Sequence, residues 1–91
     1  MEFGWHEKKD ETTRRCRGFG FEDVIPIFAG AVLEAVDDRH DYGEVRVKAI
    51  GALGEDVFAV VYTQRGEVRW IISARRASRK ERRLWRAARS E

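Results

Sequence analysis

The sequence predicts an α+β domain: an antiparallel meander sheet with two helices before it and one after, in the order β-α-α-β-β-β-α. Three features carry this. Between residues 45 and 75, apolar and polar positions run in strand-like stretches broken by glycine-containing turns. Phe21, Val24, Ile25 and Phe28 have the i, i+3, i+4, i+7 spacing of a helix stripe. Ser78 followed by Glu81 forms a capping box, the start signal of a final helix. With 91 residues the chain reads as one domain, 1–91, with a modest core.

Met1, Phe3 and Trp5 alternate with Glu2 and Gly4, which predicts a short first strand over residues 1–5. Residues 6–17 are rich in helix formers and lack proline, and Gly18 stands where a C-cap belongs. The apolar face of this helix is thin, so it is expected on the surface. Pro26 falls inside the second helix and is expected to shorten it. Residues 37–43 read as a polar turn. Val45, Val47 and Ala49 then alternate with Arg46, Lys48 and Ile50, a strand with one charged face. Residues 51–56 look like a hairpin loop. Residues 57–63 form a nearly continuous apolar run, expected as a central strand buried on both faces. A tight turn at 64–67 leads to a strand over 68–75. Simple alternation puts Trp70, Ile72 and Ala74 on one side of it, and Arg69, Ile71, Ser73 and Arg75 on the other. The last helix, 78–89, has Leu84, Trp85 and Ala88 as its apolar stripe, with arginines covering the rest.

No stretch of about 18 apolar residues exists to cross a membrane as a helix, and the opening residues lack the pattern of a signal peptide. Cys16 is the single cysteine, so neither an internal disulfide nor a thiolate metal cluster is expected. These features fit a reducing cytoplasm. The net charge of +2 conceals a split. Residues 1–64 hold 8 Lys+Arg against 13 Asp+Glu, whereas residues 65–91 hold 10 against 3. Segregation of this size points to a polyanion, an acidic protein partner, or both. A solvated basic helix without a ligand is the competing reading.

Several strings resemble a known family. They are Asp38-Arg39-His40-Asp41-Tyr42-Gly43-Glu44-Val45-Arg46, Ile50-Gly51, Val60-Val61-Tyr62-Thr63-Gln64-Arg65-Gly66, and Ile71-Ile72-Ser73-Ala74-Arg75-Arg76-Ala77-Ser78-Arg79-Lys80-Glu81-Arg82. Phe3-x-Trp5 with Lys9, and Gly18 before Phe21-Glu22, agree as well. Together they resemble the BrnT toxins of type II toxin–antitoxin systems over nearly the whole chain. The resemblance implies a RelE-like fold and RNA cleavage that arrests translation and growth. It also implies inhibition by a BrnA-type antitoxin, as a heterotetramer that binds operator DNA through the antitoxin and represses the operon. The chain departs from the family pattern at the end of the first helix, where Thr13, Cys16 and Arg17 replace the usual Asn, Lys and His before Gly18. It departs also at His6, usually Asp, and at Trp85, usually Tyr.

RNA cleavage of the kind implied, without metal or cofactor, uses the ribose 2′-hydroxyl as nucleophile. It needs a proton acceptor, a proton donor for the leaving 5′-oxygen, and positive charge for the phosphorane-like transition state. Arginine suits the last role, because its planar fork holds two phosphate oxygens and stays charged. Arg75 is the first candidate, at the end of the last strand on the face shared with Arg69. Arg65 and Arg46 follow, the latter beside Lys48. Arg46, Lys48 and Arg69 could equally cover a solvated sheet face. His40, in a polar loop, has the intrinsic pKa for acid–base work. Glu44 is either a base or an ion-pair partner of Arg46, and Tyr42 either stacks on a base or packs its turn. Glu81 is assigned to the capping box, Trp5, Trp70 and Trp85 to the core, and Cys16 to no chemistry. Arg69, Arg76, Arg79, Lys80, Arg82, Arg83 and Lys48 are the expected RNA contacts, with Arg86 and Arg89 adding general attraction. The same surface would also serve a nucleic-acid-binding module without catalysis, or a domain that docks an acidic protein segment.

Overall fold

The computed structural model describes residues 1–38, 41 and 43–89. His40 and Tyr42 lie outside the described residues. The elements are β1 (Glu2–Trp5), α1 (Glu7–Arg17), α2 (Phe21–Val24), a 3-10 helix (Ile25–Ala29), β2 (Leu33–Asp37), β3 (Arg46–Leu53), β4 (Asp56–Arg65), β5 (Val68–Arg76) and α3 (Arg79–Arg89). They build the expected α+β fold around one five-stranded sheet of order β1-β5-β4-β3-β2. Strands β2 to β5 form the antiparallel meander, and β1 adds to β5 in parallel, with Glu2 opposite Val68 and Trp5 opposite Ile71.

α1 is a surface helix closed by Gly18, whose φ of 82° is the left-handed conformation that lets its N–H reach the Arg14 carbonyl. Asp10 is its buried anchor: Oδ1 accepts from the Phe21 N–H at 2.8 Å, tying α1 to the start of α2. α2 is a single turn. Pro26 falls near the start of the 3-10 helix that continues it, where its missing N–H is least costly. Phe21, Val24 and Ile27 from this segment bury themselves on one sheet face against Ala49, Phe58, Val60, Tyr62, Ile71 and Ala74. On the opposite face a smaller cluster joins Ile50 and Val57 to Ala77 and to Trp85 of α3. β4 is central and almost wholly buried, as its apolar run predicts.

The structure adds β2, a strand with no counterpart in the sequence reading. Leu-Glu-Ala-Val-Asp lacks a clean alternation, and most of it is exposed. Its conformation comes from pairing with β3, Leu33 opposite Ile50 and Asp37 opposite Arg46. Asp37 therefore ends a strand rather than opening a turn. The β3–β4 hairpin is tighter than residues 51–56 suggest, because β3 runs to Leu53 and β4 begins at Asp56.

A second correction concerns β5. Val61 is opposite Ser73, but Tyr62 is opposite Ile71, so Ile72 is an extra residue at a β-bulge. The bulge reverses the alternation partway along the strand. Ile71 and Ala74, three apart, consequently share one core. Trp70 and Ala74, expected on one side, lie on opposite faces, as do Arg69 and Arg75.

Gly51 sits in β3 under the 3-10 helix rather than in a loop. A Cβ there would stand 2.8 Å from Ile27 Cβ and 3.1 Å from Val32 Cγ1. Ile27 Cβ is fixed by backbone, so Gly51→Ala is expected to cost about 1–3 kcal/mol by overpacking. Urea unfolding measures this, and an unchanged midpoint would contradict the close packing.

Candidate functional site: a cationic sheet face braced by two carboxylates

α3 covers only one end of its sheet face. The remainder is an open surface on which β3, β4 and β5 present Arg46, Lys48, Arg65 and Arg75. Two carboxylates organise these four cations. Glu81, on the first turn of α3, accepts from Arg75 Nη1 at 2.6 Å and Nη2 at 2.9 Å, and from Lys48 Nζ at 2.8 Å. Glu44 lies 3.3 Å from Arg65 Nη2 and 3.7 Å from Arg46 Nε. Each carboxylate thus holds two cations and leaves a net positive charge.

Glu81 also completes the expected capping box. Its Oε1 accepts from the Ser78 N–H at 2.8 Å, and its own N–H donates to Ser78 Oγ at 3.2 Å. The Ala77 N–H donates to the Val57 carbonyl, and Arg82 donates to the Ala77 carbonyl at 2.8 Å, so the segment before α3 is pinned to the sheet. The helix start is therefore a rigid platform for the carboxylate. The Arg75 bonds above all, then Lys48 and the Ser78 amide, hold the Glu81 carboxyl well below the usual range, outweighing the burial that opposes them.

The other candidates fall into separate places. Arg65 stacks on Trp70, 4.8 Å from its ring centroid. Trp70 is only half-buried and joins neither core cluster, unlike the fully packed Trp85. Glu44 is an ion-pair partner of both Arg46 and Arg65. Arg69 is on the opposite face from Arg75, over the rings of Tyr62 (4.2 Å) and Phe28 (4.9 Å). There Tyr62 donates to Glu34, and burial first of all pushes its phenol up to about 12. Arg76 also lies on that face, over Phe58 and 3.1 Å from Asp56. Arg79, Lys80, Arg83 and Arg86 are exposed on α3.

The structure adds residues that alternation does not single out. A cleft of about 320 Å³ opens beside the Glu81 unit, with Lys48, Ser73 and Arg75 on one side and Asp37 and Asp38 on the other. Its carboxylates come from the end of β2, the strand missing from the sequence reading. Past Trp5, β1 no longer pairs with β5, and Arg17 Nη1 donates to the Ala74 carbonyl at 2.7 Å on that uncovered edge. Arg17, one of the departures from the family pattern, is thereby placed next to the strand end that carries Arg75.

These features define a class: a small basic α+β domain with an open, braced cationic sheet face. The family described as ribonuclease toxin, BrnT, of type II toxin–antitoxin systems matches residues 5–81. The chain belongs to that family, and membership implies an RNA substrate and an antitoxin partner. The match ends at Glu81, so it contains both carboxylate units and leaves out most of α3. No curated protein sequence matches the chain. Among the described residues, no helix is long and apolar enough to cross a membrane.

The Glu81 unit predicts an acid sensitivity. A carboxyl whose pKa is lowered by folding stabilises the fold fully above its unfolded value, about 4.3, and that stabilisation is lost as pH falls below it. Glu81→Gln should lower stability at neutral pH and flatten the loss that the wild type shows on acidification. Glu81 is 7% exposed, but Arg75 and Lys48 are 43% and 35% exposed, so the ion pairs are partly screened. The expected cost of Glu81→Ala, with the cap also lost, is about 2–3 kcal/mol, below that of a fully buried pair. Thermal unfolding from about pH 3 to 7 checks both. Parallel curves for wild type and Glu81→Gln would contradict the assignment.

Proposed function

We propose that the braced sheet face is the RNA-cleaving site, with Arg75 and Lys48 holding the scissile phosphate in the cleft beside Asp37 and Asp38. The observation that carries this reading is the Arg75–Glu81–Lys48 unit. A bidentate carboxylate fixes the guanidinium in one orientation, and Nη1 also donates to the Arg76 carbonyl at 3.4 Å, so the charge is held in place before any substrate arrives. Preorganised positive charge of this kind stabilises a transition state without rearrangement at the moment of reaction. Glu81 is a positioning residue on this reading, not a proton carrier, because a carboxyl held so far down stays ionised.

Arg65 and Arg46, braced by Glu44, extend the cationic track along the same face, so an RNA strand meets four positive side chains in sequence. The 2′-hydroxyl is the nucleophile, and the chain's own cations supply the charge, with no metal in the reaction. Asp37 and Asp38 line the cleft as carboxylates able to accept the 2′-proton. His40, two residues after Asp38, is the candidate acid for the 5′-oxygen. The exposed arginines of α3 attract RNA generally or receive an acidic segment of the antitoxin. A BrnA-type antitoxin that covers this face would inhibit the toxin, and a complex that binds operator DNA through the antitoxin would repress its own operon. The site of action is the cytoplasm.

Arg75→Ala is expected to stay folded and to lose about 100-fold or more in RNA cleavage. Arg75→Lys should recover little, since an ammonium cannot reproduce the bidentate fork. Growth arrest on induction, with RNA integrity followed in parallel, measures this. Arrest with intact transcripts would support binding without cleavage instead. Cleavage should survive EDTA, and RNA affinity should fall steeply with salt as phosphate contacts release counterions. A chelator-sensitive reaction would contradict the metal-free scheme, and salt-insensitive binding the electrostatic one.

A further inference from the structure

Ser73 lies at the junction of two clefts. On the sheet face it borders the Arg75–Lys48 cleft. Across the uncovered edge of β5 it borders a second groove, of about 380 Å³, between α1 and the bulge residue Ile72. The groove is possible because β1 stops at Trp5, leaving β5 without a neighbouring strand just where the bulge widens it. Its floor is made by Ile72, Thr13 and the helix surface, and its rim by His6, Lys9 and Arg17. Among the described residues that line it there is no Asp or Glu.

We infer that this groove is a nucleobase subsite, receiving the base next to the phosphate held by Arg75 and Lys48. This rests on the function proposed above. The occupant follows from three properties. The groove adjoins the phosphate cleft at Ser73, which lines both, so it lies within reach of a neighbouring nucleotide of the same strand. Its floor is largely apolar and its volume suits a small planar ligand, within the roughly 300–1,000 Å³ of small-molecule pockets. Its rim offers N–H donors and positive charge, which suits the flanking phosphate and a base edge of acceptors, guanine O6 and N7 above all. Thr12 and Thr13 donate their hydroxyls to the Lys8 and Lys9 carbonyls, so both oxygens face any ligand as acceptors only. The groove would therefore set a nucleotide preference at one position beside the cut, with Arg17 securing the strand edge that separates the two clefts.

The test maps RNA ends after induction of the wild-type toxin and of Thr12→Trp, an exposed-helix substitution that fills the groove. The wild type should show a base enriched at one position flanking the cut. Thr12→Trp should still cut but with that enrichment reduced about tenfold, the discrimination expected for loss of one well-placed base-edge contact. An unchanged preference in a variant that cuts would overturn the subsite. Should Thr12→Trp fail to accumulate as folded protein, photocrosslinking of 6-thioguanosine RNA to the wild type decides the matter. Crosslinks on α1 support the subsite, and crosslinks confined to the sheet-face cleft overturn it. A wild type that cuts no RNA would instead overturn the proposed function, and the subsite with it.

Discussion

One carboxylate organises this protein. Glu81 caps α3, fixes Arg75 by a bidentate bond and draws Lys48 up from β3. Its three tasks are physically inseparable. The capping bond sets the start of the helix, the helix start sets where the carboxylate stands, and the carboxylate sets where two sheet cations point. A carboxylate can be this deeply placed only because it is paired on nearly every side, since an unpaired buried charge would neutralise or unfold the site. Helix stability and the geometry of the cationic face thus depend on the same atoms.

The bulge at Ile72 is the second constraint. Without it, Ile71 and Ala74 would face opposite ways, and Arg75 would turn toward the aromatic face where Arg69 covers Tyr62 and Phe28. One extra residue lets the strand bury Ile71 on one side of the sheet and deliver Arg75 to the other. The same residue lies where β1 has ended, so the bulge both aims Arg75 and helps to open the groove beside α1. Bulges commonly re-aim a side chain near a functional site, and here the re-aiming also divides the arginines of β5 between two roles. Arg69 and Arg76 cover aromatic rings on the packed face, while Arg75 joins the open one.

Much of this was legible in the residues. Phe21 and Val24, the apolar run of β4 and the box of Ser78 and Glu81 carry local signals, because each element's own spacing or cap determines it. Past Val24 the helical stripe fails, since the 3-10 turn buries Ile27 where α-helical spacing puts Ile25. Arg75, Arg65, Arg46 and Lys48 could be named as candidates from strand ends and charged faces. β2 could not, because its strand conformation is imposed by pairing with β3 and its sequence alone favours nothing. With β2 went Asp37 and Asp38. The partition of Arg69 and Arg75 was equally hidden, since alternation assumes a regular strand and a bulge leaves no mark in composition.

By itself, then, the sequence determined the class of fold, the extents of the first and last helices, the concentration of positive charge in the last third and, through its motifs, the family. Those are properties of neighbours along the chain: periodicity, capping and charge density act over a few residues. Only the tertiary structure decided which arginines share a face, which carboxylate holds which cation, and that Ser73 stands between the cleft beside Arg75 and the groove beside α1. These depend on register, on the bulge and on where β1 ends, and each is settled by contacts between segments far apart in sequence.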